Sequence, residues 1–225
     1  LRVLDDIRPD GFLLENVESI LHPTNREIVD FIEERISSMG YKFIRVLANA
    51  MDYGIPQKRK RVIFLASLKK KPEAPAANGA YSPVSVLDWI GKYDSDDYFE
   101  PEEAIGGKTY EEELRAVPPG KNYIALSDKA GYPEPRFIAN KRFWNFLLKL
   151  HPSLPSWTIA AQPGPWVGPF HWNNRRLRIK EIASIQTFPE DYCFVGSRRV
   201  VQRQIGNAVP SLLGKIFVEQ LIKSV

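Results

Sequence analysis

Two apolar runs, at residues 41–47 and 61–66, constrain the fold more than any other feature of this 225-residue sequence. About a dozen residues without helical periodicity separate them, and that gap is short for the crossover that joins parallel strands. The two runs are therefore predicted to pair antiparallel. An earlier apolar run, Phe12-Leu13-Leu14, is predicted to form a strand before them.

A helix is predicted between the first two strands. Thr24 and Glu27 have the spacing of a capping box at its start, and Gly40 can take the positive φ that often ends a helix. Helical spacing predicts one apolar face, which comprises Ile28, Phe31, Ile32, Ile36 and Met39. Residues 1–68 are therefore predicted to form an alternating α/β unit.

Glu15 stands where the first predicted strand ends, directly before Asn16 and Val17. A charged side chain at the mouth of a buried strand is costly unless it is paired or used, and ligands of open α/β sheets collect at the carboxyl ends of strands. Taken alone, these residues leave two interpretations open. Glu15 is either a structural carboxylate held by a nearby cation or a functional one.

Composition excludes several classes of protein. A single cysteine rules out a disulfide framework and suits a reducing compartment, and the three histidines have no metal-ligand spacing. No apolar stretch approaches the ~20 residues that cross a bilayer.

The chain starts at Leu1 with neither an initiator Met nor a secretory signal, which suggests a fragment, a processed chain or one subunit of a split protein.

Charge is segregated in the middle of the chain, beyond a predicted linker at residues 69–79. A short helix is predicted over residues 84–90. Residues 94–113 contain nine acidic residues and a single Lys, a composition typical of a solvated face and unsuited to contact with phosphate.

Residues 141–146 interleave cations with aromatic rings, and two interpretations stay open. Such interleaving can bind nucleic acid through stacking and backbone contacts. Alternatively, the segment is a short helix with solvated cations. Its core face would then comprise Phe143, Phe146, Leu147 and Leu150.

Two helices are predicted near the end of the chain. The first covers residues 179–186 and is ended by Pro189, and Cys193 beyond it is expected to be a packed thiol. The second follows a turn at Gly206-Asn207, has Pro210 at its first position and runs to the end of the chain. Its broad apolar face comprises Leu212, Leu213, Ile216, Phe217, Val218, Leu221 and Ile222.

The run Gln57-Lys58-Arg59-Lys60-Arg61 leads into the third predicted strand. Strand alternation sends Gln57, Arg59 and Arg61 to one face, where two guanidiniums and an amide suit fork-like binding of phosphate or a carbonyl oxygen. The alternative is a solvated terminus of an edge strand.

These blocks resemble, in order, those of the DNA (cytosine-5) methyltransferases. Glu15-Asn16-Val17 after an apolar strand and Gln57-x-Arg59-x-Arg61 are similar to two signatures of that family. Residues 176–189 resemble its penultimate block, and residues 202–210, with Gly206-Asn207-Ala208-Val209, resemble its last. Each block alone is weak, but four in the family's order frame nearly the whole chain.

The resemblance implies an α/β fold. It would be the end of a Rossmann-like S-adenosylmethionine-dependent methyltransferase sheet plus a loop-rich target-recognition domain. Residues 1–72 would belong to the catalytic α/β domain, residues 73–172 to the target-recognition domain, and residues 173–225 would return to the catalytic domain.

The resemblance also implies roles for individual residues. Glu15 would hydrogen-bond N3 and the exocyclic amine of a cytosine flipped from the DNA helix, and Arg61 would contact its O2. Arg59 and Gln57 would order the pocket. Attack at C6 puts negative charge on the ring, so a desolvated carboxyl with a raised pKa could supply a proton to N3.

The implied cofactor is S-adenosylmethionine, without a metal, and the implied partner is double-stranded DNA. The wall around the cofactor would include Asn207, Ala208 and Val209. Predicted DNA contacts are Gln57, Lys141, Arg142, Arg175 and Arg176. Such an enzyme would work inside the cell, in the cytoplasm or at the nucleoid, as part of a restriction-modification system and away from membranes.

Three departures from the family pattern limit the prediction. No Pro-Cys nucleophile and no Gly-rich cofactor loop precede Glu15. Arg178 stands where the family usually has a helix-capping Thr, so a looser helix start is expected. The chain is therefore expected to be a C-terminal portion that is inactive without its N-terminal half. The alternatives are a non-catalytic DNA-binding or specificity subunit and an RNA cytosine methyltransferase relative.

Overall fold

A computed structural model describes residues 1–77, 81 and 84–225, which form two compact units. The first unit comprises Leu1–Gly54, Arg59–Ser82 and Ser211–Val225, and the second comprises Ile55–Lys58 and Pro83–Pro210. Residues 173–210 thus group with the second unit, whereas the predicted domain assignment, which stays a prediction, separates them from residues 73–172. The predicted linker has no helix or strand over residues 69–77, and its end at Asn78-Gly79 lies outside the described residues.

The regular elements are short. The strands are β1 (Gly11–Val17), β2 (Lys42–Asn49), β3 (Gln57–Lys58), β4 (Lys60–Ser67) and β5 (Ser156–Trp157). The α-helices are α1 (Arg2–Ile7), α2 (Arg26–Ser38), α3 (Val86–Ile90), α4 (Glu111–Ala116), α5 (Ile179–Ile185), α6 (Arg198–Asn207) and α7 (Ser211–Ile222). The 3-10 turns are Glu18–Leu21, Pro23–Asn25, Ala50–Tyr53, Gly91–Tyr93, Asp96–Tyr98, Pro101–Glu103, Tyr123–Leu126 and Asp128–Ala130.

A three-stranded sheet with the order β1-β4-β2 lies at the centre of the first unit. Strand β4 is antiparallel to both neighbours, which confirms the predicted pairing of the second and third apolar runs. Its central position explains its unbroken apolar run, since residues 62–66 are all buried. Helix α2 packs on one face through Val29 and Ile36, and α7 packs against β1 and β4.

Helix α2 differs from its prediction in two ways. The predicted capping box does not form, because Pro23 begins a 3-10 turn and Thr24 contacts the ring of His22 instead, with Oγ1 2.8 Å from Nδ1. The apolar face is also rotated. Phe31 is 60% exposed, whereas Val29, which the prediction left out, is buried.

The core of the second unit is built from helices α3, α5 and α6 and from a set of packed loops. The helix that one of the two interpretations assigned to this segment does not form, because residues 143–150 form turns and isolated bridges. The core interpretation holds for Phe146, which packs with Tyr123 and Phe170, but not for Phe143, which is 80% exposed. Cys193 is exposed, so the packed thiol is also a wrong prediction.

Helix α6 was not predicted. Gly206 and Asn207 end it, rather than forming a turn that leads into α7, which begins one residue later than predicted, at Ser211. Gly206 lies so close to the loop at Ala161 that a Cβ would overlap the Cα of Ala161 and lie 2.5 Å from its N. Close backbone approach therefore fixes the residue type at this position.

A buried ion network joins the acidic stretch to the arginines of residues 175–198. Arg175 donates to both carboxylate oxygens of Glu181, at 2.7 and 2.8 Å, and to Asp94 at 2.8 Å. Glu181 has no exposed surface, and its burial raises the pKa of its carboxyl against the opposing effect of Arg175. The acidic stretch is therefore not simply a solvated face, because part of it compensates buried cations.

Two further arginines in this network take partners from the same stretch. Arg178 binds Glu103 through two nitrogens, and its backbone N donates to Glu181 at 2.8 Å. Because Glu181 caps α5 in this way, the expected looser helix start is wrong. Arg198, in the first turn of α6, binds Glu100, which also accepts from the backbone N of Ile179 at 2.7 Å.

His171 is enclosed by this network without carrying charge. Its Nδ1 accepts from the backbone N of Asn173 at 3.1 Å, which leaves the proton on Nε2, 3.6 Å from Glu181. Burial, followed by the positive charge of Arg175, lowers the pKa of His171 from 6.5 to about 3.

We expect Gly206→Ala to lower the free energy of unfolding by about 1–3 kcal/mol, because the methyl group must displace backbone. The matched control is Gly214→Ala within α7, where an added Cβ meets nothing within 4 Å. That substitution should raise stability by about 0.5–1 kcal/mol through helix propensity. Urea denaturation of both variants is the measurement, and equal effects would contradict the close approach at Gly206.

We expect His171 to make the protein less stable in acid. Below pH 6.5 the unfolded chain binds a proton at His171 that the folded chain refuses until about pH 3, so the free energy of unfolding falls as the pH falls. The slope is about 1.4 kcal/mol per pH unit. Urea denaturation at pH 7 and pH 5 should show a smaller loss for His171→Gln than for the wild type. The exposed His22, changed to Gln, serves as the control and should keep the wild-type loss.

Candidate active site

Glu15 and Arg61 meet on one face of the sheet in the first unit. Val17 on β1 is opposite Arg61 on β4, and Glu15 is opposite Ile63, so Glu15 and Arg61 are diagonal neighbours. Arg61 Nε lies 2.6 Å from Glu15 Oε1. The Glu15 side chain is 26% exposed and the Arg61 side chain is 13% exposed, so the pair is partly shielded from solvent and partly open to it. The structure thus brings together two of the predicted site residues.

Arg59 adds a second guanidinium to this cluster. It precedes β4, its side chain is buried, and its carbonyl accepts from the backbone N of Ala50 at 2.9 Å. Burial, together with the charge of Arg61, lowers the pKa of Arg59 to about 10, while Glu15 opposes that shift. Arg59 therefore stays charged at neutral pH and adds positive charge beside the Glu15–Arg61 pair.

Such a cluster can stabilise negative charge on a bound ring. Its carboxylate can accept from amine and imino N–H groups, and its guanidiniums can donate to a carbonyl oxygen. Arg61 is already oriented, because its Nη1 donates to the carbonyl of Lys60 at 2.8 Å. Preorganised donors of this kind lose little free energy when a ligand arrives.

Gln57 does not share a strand with Arg59 and Arg61. It lies on β3, which pairs in parallel with β5 in the second unit. Its amide donates to Gln186 Oε1 at 2.6 Å and accepts from the backbone N of Ile159 at 3.1 Å. Gln57 has no exposed surface, so the structure contradicts its predicted role as a DNA contact.

Gln186 is a residue that sequence reasoning missed. Besides contacting Gln57, its amide donates to the carbonyls of Ile205 at 2.7 Å and Ala208 at 3.0 Å. It therefore links the block around α5 to the end of α6. The available signal was an amide among the apolar residues of a predicted helix, where an unpaired polar group would be costly.

Arg175 and Arg176 are neighbours with different environments. Arg175 is held by Glu181 and Asp94 in the buried network, so the structure contradicts its predicted contact with DNA. Arg176 is half-buried, its Nη2 donates to the carbonyl of Pro165 at 2.5 Å, and its guanidinium lies 6.0 Å from the ring of Phe170. Arg176 therefore braces the loop that contains Pro165.

Lys141 and Arg142 are exposed, as a role in binding DNA requires. The guanidinium of Arg142 lies 5.4 Å from the ring of Phe146 and donates to the Tyr110 hydroxyl at 3.3 Å. Phe143 and Trp144 beside them are exposed rings. This segment therefore presents cations and aromatic faces together.

Asn207, Ala208 and Val209 follow one another at the end of α6. Asn207 is exposed, and the other two are half-buried.

Within the described ranges, no group of three or more His, Cys, Asp or Glu side chains could hold a metal ion. In the same part of the chain, no helix is long and apolar enough to cross a membrane.

Sequence comparisons identify related proteins. The family model for C-5 cytosine-specific DNA methylases matches residues 1–223. The type II methyltransferase M.SacI of Streptomyces achromogenes is 37% identical over 99% of this chain and 62% of its own length. M.BbvI of Brevibacillus brevis is 30% identical over 100% of this chain and 61% of its own length. The chain thus spans about three fifths of the length of these relatives.

Solved structures confirm the predicted α/β methyltransferase fold. A DNA modification methyltransferase candidate encoded within an E. coli prophage has a TM-score of 0.69 at 17% identity, over 99% of this chain and 72% of that one. The S. pombe Dnmt2 methyltransferase has a TM-score of 0.55 at 16% identity, over 99% and 70%. With the family model matching nearly every residue, the chain belongs to the C-5 cytosine-specific DNA methylases.

Proposed function

We propose that this chain is the C-terminal portion of an enzyme that methylates C5 of cytosine in double-stranded DNA. The observation that carries the proposal is the Glu15–Arg61 pair, 2.6 Å apart on a partly open sheet edge, with the buried charge of Arg59 beside it. These residues belong to two of the sequence blocks that place the chain in its family.

Glu15 and Arg61 would act on a cytosine extruded from the duplex. Glu15 would hydrogen-bond N3 and the exocyclic amine, and Arg61 would donate to O2. When a nucleophile adds to C6, the electron pair moves into the ring, and a proton that the Glu15 carboxyl gives to N3, together with the cation of Arg61 at O2, stabilises that charge. After C5 gains the methyl group, the C5 proton passes to a base, the nucleophile leaves C6 and the N3 proton returns to Glu15, which restores the aromatic ring.

The nucleophile is a cysteine in the family pattern, and an N-terminal half would supply it as a further segment or as a separate chain. The same half would supply most of the cofactor site. S-adenosylmethionine, when bound, supplies the methyl group. Asn207 offers an exposed amide and Ala208 and Val209 offer small, half-buried surfaces, which fit one wall of a nucleoside pocket.

Lys141 and Arg142 would contact the phosphate backbone of the DNA. Their exposure supports this role, as does the exposure of the neighbouring Phe143 and Trp144, whose rings can stack on bases. Extrusion of a base costs a few kcal/mol, which such contacts must offset. The enzyme would work inside the cell, in the cytoplasm or at the nucleoid, as the modification half of a restriction-modification system.

We expect Glu15→Gln and Arg61→Ala each to reduce methyl transfer by at least about 100-fold, because each removes a group that stabilises charge on the ring. The assay measures transfer of tritiated methyl from S-adenosylmethionine to duplex DNA. The chain is supplied with the N-terminal part of its Streptomyces achromogenes relative, which restores the segment proposed to be missing.

Two substitutions in the same unit serve as controls. Glu18→Gln removes a half-exposed carboxylate that pairs with Lys60, and Arg45→Ala removes an arginine that pairs with Glu33. Both should leave transfer within about twofold, since surface ion pairs contribute little. Unchanged transfer in Glu15→Gln would contradict the catalytic proposal and favour a non-catalytic DNA-binding subunit.

A further inference from the structure

The arginines after residue 174 fall into two sets. Arg175, Arg178 and Arg198 each contact a carboxylate in the ion network. Arg176, Arg199 and Arg203 do not, since no carboxylate within the described part of the chain lies within 4 Å of any of them. Arg176 is half-buried, whereas Arg199 and Arg203 on α6 are exposed. Two of the arginines outside the network therefore lie at the surface of the second unit.

Helix α6 holds these two arginines on one face. They are four residues apart, so they are neighbours along the helix surface. The opposite face is anchored in the core through Val201 and Ile205, and Gly206 fixes the end of the helix against the loop at Ala161. The two side chains therefore extend from a rigid element.

Arg199 also lines a groove that adjoins the segment containing Lys141. One groove is lined by Lys141, Arg142 and Phe143 together with the loop at Gly164 and Pro165. A second groove is lined by the same loop and by Arg199, with Gln162 and Gln202 beside it. The two grooves meet at Gly164-Pro165, the loop that Arg176 braces.

The charges along these grooves favour a long polyanion over a single small anion. Lys141 and Arg142 line one groove, and Arg199 lines the other. Arg203 lies one helical turn beyond Arg199 and lines neither groove. Glu102 is the single carboxylate among the residues that line the two grooves within the described ranges. Duplex DNA carries one charge per ~1.7 Å of helix axis, so it can engage cations on both sides of a loop.

We propose that Arg199 and Arg203 bind the phosphate backbone of duplex DNA and extend the contact made by Lys141 and Arg142 across the Gly164-Pro165 loop. This inference rests on the proposed function, because it adds contact residues for the same DNA. It concerns backbone contacts only, which position the protein and carry no sequence information.

The test measures how the affinity of the 225-residue chain for a fluorescent DNA duplex depends on salt, by anisotropy between about 50 and 200 mM salt. Each phosphate contact contributes about 0.9 to the slope of log K against log salt concentration. Arg199→Gln and Arg203→Gln should each reduce the slope by about that amount, and the double variant by about twice as much. Arg199→Lys should keep the wild-type slope, because it keeps the charge.

Arg115→Gln is the matched control, since Arg115 is an exposed arginine of the same unit that Glu111 already neutralises at 2.8 Å. It should leave the slope unchanged, and circular dichroism checks that every variant is folded. A wild-type slope in the Arg199→Gln/Arg203→Gln double variant overturns this inference alone, provided that Lys141→Gln still lowers the slope. A wild-type chain that does not bind duplex DNA overturns this inference and the proposed DNA contacts together.

Discussion

The organisation of the second unit depends on the compensation of one carboxylate. Glu181 has no exposed surface, and a charge buried in this way is tolerated only if it is paired and hydrogen-bonded. Arg175 satisfies both of its oxygens, and the backbone N of Arg178 satisfies one of them a second time. Because each arginine reaches on to Asp94 or Glu103, that single requirement ties α5 to a stretch about eighty residues earlier in the chain.

The Glu15–Arg61 pair has the same chemistry in a different setting. The Glu15 side chain is 26% exposed, whereas the Glu181 side chain has no exposed surface. Removal of one partner from a buried pair leaves an uncompensated charge and destabilises the fold, so both residues of such a pair have a structural role. A partly open pair can exchange one partner for a ligand at smaller cost. Exposure of the carboxylate, more than residue type, therefore distinguishes the pair of Glu15 from the pair of Glu181.

Local pattern predicted what depends on local geometry. The antiparallel pairing of β2 with β4 followed from the length of the gap between them. The sequence could not show that Arg175 is buried, because its partner Asp94 is distant in the chain and the two are matched only by folding. The prediction for Gln57 failed for a related reason. It assumed one strand from Gln57 to Arg61 with alternating side chains, but β3 ends at Lys58 and β4 begins at Lys60.

The segregation of charge noticed in the sequence acquires a physical meaning from this network. An acidic stretch followed by a cluster of arginines could have formed two solvated surfaces. Instead, Asp94, Glu100 and Glu103 form ion pairs with Arg175, Arg198 and Arg178, respectively. Within this network, the acidic stretch neutralises the arginines that face the core: Arg175, Arg178 and Arg198. On α6 the division falls between adjacent residues, because Arg198 turns inward to Glu100 while Arg199 faces out. Because the carboxylates of the acidic stretch pair with the buried arginines, Arg199 stays unpaired by that stretch and accessible at the surface.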